Sequence, residues 1–212
     1  MRCRSKGYTG SFGSMCRQIR SKGYRKPKIH RKNYTNYNRL DGKYPGHKVQ
    51  VDIKYVPNEC IRFPCYGQRY CQITAIDEYS RKRVLKIVKE KSSCETGKFL
   101  QSPEKKMGFK ISIIRADNGT EFVNDEDRTD KSGRFRKIAE SLGMRIRRTR
   151  PYSPWQNGKA ERSHREDGKI LYGRKVFTNE TELKKQVRKH ENRYNRTAKT
   201  SLDFKSPDRV AG

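Results

Sequence analysis

The organisation of this chain is decided by one stretch, Arg150-Pro151-Tyr152-Ser153-Pro154-Trp155-Gln156-Asn157-Gly158-Lys159-Ala160-Glu161-Arg162-Ser163-His164-Arg165. Its prolines and serines disfavour a helix interior but favour a helix entrance, so the sequence predicts a helix that begins near Ser153 and runs through Leu171. Glu161 then lies about two turns inside that helix, among several basic side chains. An isolated acid in such surroundings is normally part of a solvated ion pair that contributes little to stability.

Two aspartates upstream of this helix suggest a different role for Glu161. Asp52 lies in residues 49–56, where apolar and polar residues alternate as they do in a half-buried strand. Asp117 ends the largely apolar run at residues 111–116 and is followed by an Asn-Gly turn, which predicts a second strand. If the two strands lie side by side and the helix packs near their ends, the three carboxylates converge.

Three converging carboxylates indicate a particular chemistry. Like charges at short distances repel each other strongly unless protons or cations neutralise them. Carboxylate oxygens are ligands that magnesium prefers, and a pair of magnesium ions can stabilise both the attacking and the leaving oxygen of a phosphodiester. The pattern therefore indicates magnesium-dependent phosphoryl transfer at Asp52, Asp117 and Glu161.

Three short motifs, taken in order, resemble those of a known family. They are Val-Asp-Ile-Lys-Tyr at residues 51–55, Ala-Asp-Asn-Gly-Thr-Glu-Phe at 116–122 and Pro-Trp-Gln-Asn-Gly-Lys-Ala-Glu-Arg at 154–162. Together they resemble the retroviral-type integrase catalytic core of DDE transposases from bacterial insertion sequences, over roughly residues 46–210. The resemblance implies an α/β fold, with a ribonuclease H-like mixed sheet flanked by helices.

The resemblance also implies an activity and a set of site residues. It makes the chain a polynucleotidyl transferase that cleaves DNA strands and transfers them, in which Asp52, Asp117 and Glu161 are catalytic and hold Mg²⁺, with Mn²⁺ as a substitute. Asn118 and Glu121 are expected to hold those ligands in position. Because two element ends must be joined, the resemblance implies a homo-oligomer of at least two copies on DNA. The expected DNA partners are the element ends and the target.

Further side chains near Glu161 are predicted to contact DNA. They are Lys159, Arg162, Arg165, Trp155 and Asn157. The basic residues would hold phosphates, and Trp155 would stack on a base or sugar, although a hydrophobic contact that anchors the helix entrance is an equal alternative for this residue. His164 follows Glu161 by three positions. Because magnesium prefers oxygen ligands, a solvated or DNA-facing histidine is favoured there over a metal ligand.

One departure from the family pattern concerns spacing. Asp117 and Glu161 lie 44 positions apart, which is longer than in the best-known members. The polar run at residues 124–133 is the predicted insertion. A turn-rich polar run can form a surface loop without moving the helix that follows it.

Composition points to a polyanionic partner. The chain of 212 residues has 52 Lys and Arg against 23 Asp and Glu, a formal net charge of +29. Nucleic acid is the expected partner, with a ribosomal or membrane-surface protein as the less specific alternative. No apolar signal or membrane segment is apparent, so the expected location is the bacterial cytoplasm, in association with the nucleoid.

Six cysteines follow no Cys-x-x-Cys spacing, which favours free thiols in a reducing compartment. A zinc site built from Cys60, Cys65 and Cys71 is the less favoured alternative, since that spacing fits no common ligand pattern.

The predicted domains are a basic N-terminal arm at residues 1–45, the catalytic core at 46–198 and a C-terminal tail at 199–212. Residues 1–48 contain 14 Lys and Arg and one acid. Within the arm, one helix from Ser11 to Lys22 is expected, similar to the remnant of a helix-turn-helix region. Phosphate binding and a solvated linker are equally favoured roles for the arm.

The remaining elements follow from apolar periodicity and turn residues. We expect strands at 70–76 and 83–88 joined by a hairpin, helices at 92–106 and 135–142, a basic strand at 144–149, a helix from Thr178 through Tyr194, and a final loop. Asp77 also ends a strand, but its position in the hairpin favours a turn residue over a catalytic one.

Two alternatives to a transposase remain open at this point. A truncated, non-catalytic DNA-binding remnant could regulate or inhibit transposition, and the incomplete arm favours it. A ribonuclease acting on RNA–DNA hybrids shares the fold but needs a further carboxylate on the first core helix, where Glu95 and Glu104 lie.

Overall fold

The computed structural model describes residues 9–23, 42–119, 122, 134–150 and 153–212. The chain forms two compact units, residues 1–39 and 40–212.

The described part of the first unit contains helix α1, Phe12–Ser21. The Ser11 hydroxyl caps its start by accepting a hydrogen bond from the Ser14 N–H at 3.1 Å. Gly23, with a φ of 70°, follows its end. The predicted helix is thus confirmed, while most of the predicted basic arm lies outside the described residues.

The second unit is built on one five-stranded mixed sheet in the order β3-β2-β1-β4-β5. The strands are β1 Val49–Tyr55, β2 Cys71–Asp77, β3 Arg83–Val88, β4 Ile113–Ala116 and β5 Arg145–Arg148. The first three form an antiparallel meander, and β4 and β5 run parallel to β1. The predicted mixed sheet is therefore confirmed.

Helices pack on both faces of this sheet. They are α2 Ser93–Leu100, α3 Pro103–Met107, α4 Arg134–Ser141, α5 Gly158–Asp167, α6 Glu180–Arg196 and α7 Pro207–Ala211. Within the residues that the structure describes, every helix is too short or too polar to cross a bilayer.

The face of the sheet under α2, α3 and α4 is apolar. Its core includes Val49, Val51, Ile53, Ile73, Val84, Phe99, Leu100, Ile114 and Phe135, all of them buried. The helices approach closely at Gly97, where an added Cβ would lie 2.9 Å from Ile138 Cδ1. Each large apolar side chain buried here contributes about 1.5–3 kcal/mol to folding.

The prediction of one continuous helix over residues 92–106 is wrong. Two helices form instead, and the break falls where Pro103 occupies the first turn of α3. A proline there has no N–H to continue the hydrogen-bond pattern of α2, but it suits the start of a new helix. The predicted cap is confirmed, since the Ser92 hydroxyl accepts from the Glu95 N–H.

The opposite face of the sheet packs against α5 and α6 and is mixed in character. Its apolar cluster includes Val56, Leu85, Ile87, Leu171, Tyr172, Phe177, Leu183 and Val187. Polar side chains of β1, β2 and β3 fill the rest of this face.

Helix α6 covers the outer edge of the sheet at β3. The Asn195 side chain bonds both the N–H and the carbonyl of Arg83, at 3.0 and 2.8 Å. The Glu191 carboxylate accepts from the Leu85 N–H. Side chains of α6 thus satisfy backbone groups that an edge strand would otherwise expose.

The end of the chain is more ordered than the predicted loop. A short 3-10 turn, Thr200–Leu202, leads into α7, which Ser206 caps by accepting from the Arg209 N–H at 3.3 Å. The domain boundaries at residues 45 and 198 stay predictions.

Candidate active site

Gln50 fixes the start of α5 against strand β1. Its side chain is buried, and its Oε1 accepts hydrogen bonds from the N–H groups of Lys159 and Ala160, both at 3.1 Å. Its Nε2 donates to Glu78 Oε1 at 2.9 Å and to the Gln156 carbonyl at 3.1 Å. The first N–H groups of a helix lack partners within the helix, so this glutamine completes them while joining β1 to α5.

Asp52 lies on β1, and Asp117 directly follows β4, the neighbouring parallel strand. Gln50 on β1 pairs with Arg115 on β4, and the same register, extended by two residues, sets Asp52 beside Asp117. Arg115 donates to the Gln156 carbonyl at 3.3 Å, so it shares the α5 face of the sheet with Gln50. Because side chains alternate along a strand, both aspartates belong to this face.

His164 connects Asp52 to the neighbouring strand β2. Its Nδ1 lies 3.4 Å from Asp52 Oδ2, and its Nε2 lies 3.0 Å from the hydroxyl of Thr74, the cross-strand partner of Asp52. The Asp52 Oδ1 accepts from the Ile53 N–H at 2.9 Å. The prediction of a solvated or DNA-facing histidine is wrong, because the His164 side chain is only 13% exposed.

His164 is held in its neutral form. Burial lowers its pKa to about 4, and the positive charge of Lys54 acts in the same direction. The Thr74 hydroxyl accepts from Gln72, which leaves its own proton for His164 Nε2. In the tautomer in which Thr74 donates that proton to Nε2, the imidazole proton is on Nδ1 and faces Asp52.

The end of β4 is tied to its surroundings by short polar contacts. Asp117 Oδ1 accepts from the Gly119 N–H at 2.9 Å, and the Asn118 amide donates to the Thr149 carbonyl at 3.0 Å. Asn118 thereby links the ends of β4 and β5 next to Asp117. Glu121, the other residue predicted to hold the ligands in position, lies outside the described residues.

Glu161 lies on the exposed side of α5, together with Arg162 and Arg165. The helix follows β1, because its start contacts Gln50 and its middle contacts Asp52 through His164. Glu161 falls between those two contacts along the helix. The structure thus sets the three predicted acids on adjoining segments.

Their oxygens are not gathered into a ready-made ligand cluster. Across residues 9–23, 42–119, 122, 134–150 and 153–212, no group of three His, Cys, Asp or Glu side chains could hold a metal ion. Two aspartates at the sheet and one exposed glutamate are nevertheless hard oxygen donors of the kind that Mg²⁺ takes. The assignment of the three residues as ligands stays a prediction.

The residues predicted to contact DNA differ in exposure. Arg162 and Arg165 are exposed, Lys159 is partly buried, and Trp155 is 54% exposed. Asn157 is only 5% exposed, so its side chain faces the protein and is not available to DNA in this structure. Its Oδ1 is one of the buried atoms without a hydrogen-bond partner in the described part of the chain.

A buried polar network under α5 is the main feature that the sequence analysis missed. At its centre Asp167 accepts from Arg83 at 2.8 Å, from His190 at 2.9 Å and from Gln72 at 2.8 Å. Arg83 also donates to the Ser163 hydroxyl at 2.6 Å. Asp167 and Arg83 are both fully buried, so this is an ion pair without contact to water.

The charges around Asp167 keep it ionised. Burial alone would raise its pKa, but the hydrogen bond from His190 and the positive charges of Arg83 and Lys54 outweigh burial and hold the pKa well below its usual range. Lys54 lies 3.6 Å from Asp167 and donates to the His164 carbonyl at 3.0 Å.

The network continues to the site itself. Gln72 donates to both Asp167 and Thr74, and Thr74 contacts His164, which faces Asp52. One sequence signal could have indicated it. Ser163 and Asp167 are four residues apart on the side of α5 that also carries Ala160, which marks a polar stripe facing the sheet.

A widened helical turn follows the network directly. Residues Gly168–Tyr172 continue α5 as a π-helix, in which the Gly173 N–H bonds the Gly168 carbonyl at 2.8 Å. Such turns are rare and occur often at functional sites. Here the turn brings Tyr172 to the Gln72 side chain, to which it donates a hydrogen bond.

Two other chemistries lose support from the structure. Glu95 pairs with Lys86 and Lys98, and Glu104 with Lys110, on helices α2 and α3. Those helices cover the apolar face, opposite to Asp52, so neither acid completes a ribonuclease site. The zinc alternative fails because Cys71 belongs to that apolar core, whereas Cys60 and Cys65 belong to the cluster under α5 and α6.

Sequence comparison identifies integrase core domains along the chain. Two integrase core domain families match, one over residues 42–154 and the other over residues 142–207. A curated relative, the retrovirus-related Pol polyprotein from transposon TNT 1-94 of Nicotiana tabacum, is 35% identical over 101 residues, 47% of this chain. The matched segment spans about 7% of that polyprotein's length.

Structural comparison gives the same fold. The HTLV-2 integrase catalytic core domain in complex with magnesium, in a dimeric form, matches with a TM-score of 0.58 and 19% identity, over 81% of this chain and 99% of that one. The catalytic core domain of BIV integrase matches with a TM-score of 0.56 and 15% identity, over 78% and 93%.

A larger assembly also contains a matching chain. The simian T-cell lymphotropic virus intasome, in complex with a PP2A regulatory subunit, matches with a TM-score of 0.63 and 20% identity, over 81% of this chain and 56% of that one. The fold is therefore the ribonuclease H-like fold of retroviral integrase cores. With the first family match covering more than half of its length, this chain belongs to the integrase core domain family, whose members are in general polynucleotidyl transferases.

Proposed function

We propose that this chain cleaves DNA strands and transfers them, as the transposase or integrase of a mobile element, with Asp52, Asp117 and Glu161 as its catalytic acids. One observation carries the proposal. Gln50 joins the strand of Asp52 to the start of the helix of Glu161, while β4 brings Asp117 alongside. Three acids that are far apart in the sequence therefore lie on adjoining segments.

The three acids would hold Mg²⁺, or Mn²⁺ in its place. Their oxygens are hard donors, and nearby His164 is neutral, so it places no positive charge beside Asp52. When bound, a pair of such ions stabilises the attacking and leaving oxygens of the phosphodiester.

The other residues of the site would position the DNA and the acids. Arg162 and Arg165 would hold phosphates from the exposed side of α5, and Trp155 would stack on a base or sugar at the helix entrance. Gln50 and His164 touch no substrate in this proposal. They hold α5 and the Asp52 carboxylate in place.

A nicking and strand-transfer assay on a labelled DNA end tests the proposal. Asp52→Asn, Asp117→Asn and Glu161→Gln should each lower magnesium-dependent activity by at least about a thousandfold, since the acids act as a unit. Retention of DNA without divalent metal should stay near that of the unchanged chain. Full activity in any of the three variants rejects the catalytic triad.

The same assay separates an enzyme from a binding protein. A chain that retains DNA but never nicks it, with either metal, would be the non-catalytic remnant that regulates transposition.

The relatives suggest the assembly to look for. The HTLV-2 core is described in dimeric and trimeric forms, and we propose a homo-oligomer on DNA here as well. A bacterial insertion sequence and a place at the nucleoid remain parts of this proposal.

A further inference from the structure

The outer side of α6 carries a continuous row of cations. Five exposed basic residues beyond its first turn are Lys185, Arg188, Lys189, Arg193 and Arg196, which together we name the α6 basic face. From residue 183 to the end of the helix the single acid is Glu191, and it is buried against β3. Lys184 is set apart because it pairs with Glu180 at 2.6 Å.

The spacing of these residues places them on one side of the helix. They recur at intervals of three or four positions, and Lys185 and Arg196 lie about 16 Å apart along the axis. Duplex DNA carries one phosphate charge per roughly 1.7 Å of its axis. A face of this length therefore matches several phosphates of one duplex.

This arrangement works against the helix on its own. Lys189 lies four positions from both Lys185 and Arg193, and like charges at that spacing oppose helix formation. Helix α6 tolerates them because its inner side is held by the bonds of Asn195 and Glu191 to β3. The cations are thus presented on a rigid support, which lowers the entropy lost on binding.

The composition of the face distinguishes between partners. Tyr194, the aromatic residue of α6, is buried, so the face has no ring on which an unpaired base could stack. It also lacks the apolar centre that protein interfaces have. Regularly spaced cations alone suit the backbone of a duplex, which is bound without reading its sequence.

We propose that the α6 basic face is a second DNA-binding surface, separate from the proposed catalytic acids Asp52, Asp117 and Glu161, and that it holds the phosphate backbone of a duplex. The inference shares with the proposed function only the identity of the substrate. It requires no metal and no chemistry.

A neutralised variant tests this surface. We would replace Lys185, Lys189 and Arg193 together by Gln, which keeps a high helix propensity. The matched control replaces Lys98, Lys105 and Lys137 by Gln. These exposed lysines lie on α2, α3 and α4, across the sheet, and their loss changes the net charge equally.

The measurement is anisotropy of a labelled 30-base-pair duplex over a range of salt, with chelator and the full chain. The α6 variant should bind at least about tenfold more weakly at 0.1 M salt, and its slope of log K against log salt should fall by about 2 to 3, since each lost phosphate contact removes roughly 0.9. The control should keep both values near those of the unchanged chain.

Two further readouts make the outcome decisive. The thermal midpoint of the α6 variant should equal or exceed that of the unchanged chain, because repulsion within α6 is relieved. Equal loss of affinity in both variants would show that only total charge matters and would overturn the proposal, as would loss of single-stranded but not duplex binding.

If the triple variant does not fold, Arg188→Gln with Arg196→Gln decides by the same criteria. Inactive Asp52→Asn protein should still show the effect, which separates this proposal from the catalytic one.

Discussion

Alternate residues of strand β1 face opposite sides of the central sheet, and the two sides differ in character. Strand β1 buries three apolar side chains toward α2, α3 and α4, namely Val49, Val51 and Ile53. Toward α5 it sends three polar ones, namely Gln50, Asp52 and Lys54. Apolar packing stabilises without strong direction, whereas each polar contact fixes two groups relative to each other. The face under α2, α3 and α4 is thus held mainly by apolar packing, whereas the α5 face adds directional polar contacts to its apolar cluster.

The stability of the fold should be more sensitive to a small substitution on the polar face than to one on the apolar face. Replacing Asp167 by Asn leaves the fully buried Arg83 without its counter-ion, and we expect the free energy of unfolding to fall by about 3–5 kcal/mol. Urea denaturation at pH 7 measures it. The control is Asp208→Asn. The Asp208 side chain is 40% exposed, and its pair with Lys82 should contribute less than about 1 kcal/mol. Equal effects of the two substitutions would contradict the view that the buried network determines this face.

Low pH should lower the stability of the fold through charged groups of the same polar face, under α5 and α6. The folded state holds the pKa of Asp167 below its usual range, and hydrogen bonds from Lys184 and Tyr70 lower that of Glu180 to about 2. Stability linked to these groups is present above their ordinary pKa values near pH 4 and is lost as the pH falls below them. Burial raises the pKa of Glu191, which opposes the trend.

Urea midpoints between pH 7 and pH 3 measure this dependence. We expect the unchanged chain to lose stability steeply below about pH 5 and the Asp167→Asn chain to lose it less steeply. A variant that follows the slope of the unchanged chain would show that other groups govern acid unfolding.

Gln50 tests whether the polar face sets the geometry of the site. Gln50→Met keeps the length of the side chain but removes the acceptor of the Lys159 and Ala160 N–H groups. We expect strand-transfer activity to fall by about 10- to 100-fold through displacement of Glu161, with DNA retention unchanged. Gln101→Met, at an exposed position, is the control and should leave activity intact. Loss of retention in parallel with activity would point to general unfolding instead.

The apolar face should give the smallest response. Ile114→Val removes one methylene group from the core, and we expect a loss of about 1 kcal/mol at any pH between 5 and 8, with activity unaffected. Urea denaturation and the strand-transfer assay check both parts. A change in activity without a change in stability would mean that the apolar face also shapes the site.

Much of the fold could be predicted from the sequence, and for a physical reason. Alternation in residues 49–56 and the apolar run before Asp117 are local patterns that follow strand geometry, and three motifs in order gave the family. The helix predicted from Ser153 is found as a 3-10 turn at Pro154–Asn157 followed by α5, and the Asn179-capped α6 also follows from local signals. The break at Pro103 could also have been predicted from the sequence. In the structure the effect of this proline outweighs the apolar pattern around it.

The polar network could not be predicted in this way. Arg83 and Asp167 are 84 positions apart, and Asn195 bonds Arg83 across 112 positions. No local period reports such pairs, since each residue alone has the appearance of a solvated surface residue. His164 was misjudged for the same reason, because its partners Asp52 and Thr74 come from two strands that are distant in the sequence.

The covering of β3 by α6 restricts how copies of this chain can associate. Because the N–H and carbonyl of Arg83 and the N–H of Leu85 are already bonded to Asn195 and Glu191, that edge of the sheet offers fewer backbone groups to a strand from a neighbouring molecule. At the other margin, β5 displays Arg145, Arg147 and Arg148, whose charges repel a second copy of themselves. Among the described strands, both edges of the sheet therefore oppose the addition of further strands. At β3 the bonds to α6 oppose it, and at β5 the arginine charges do.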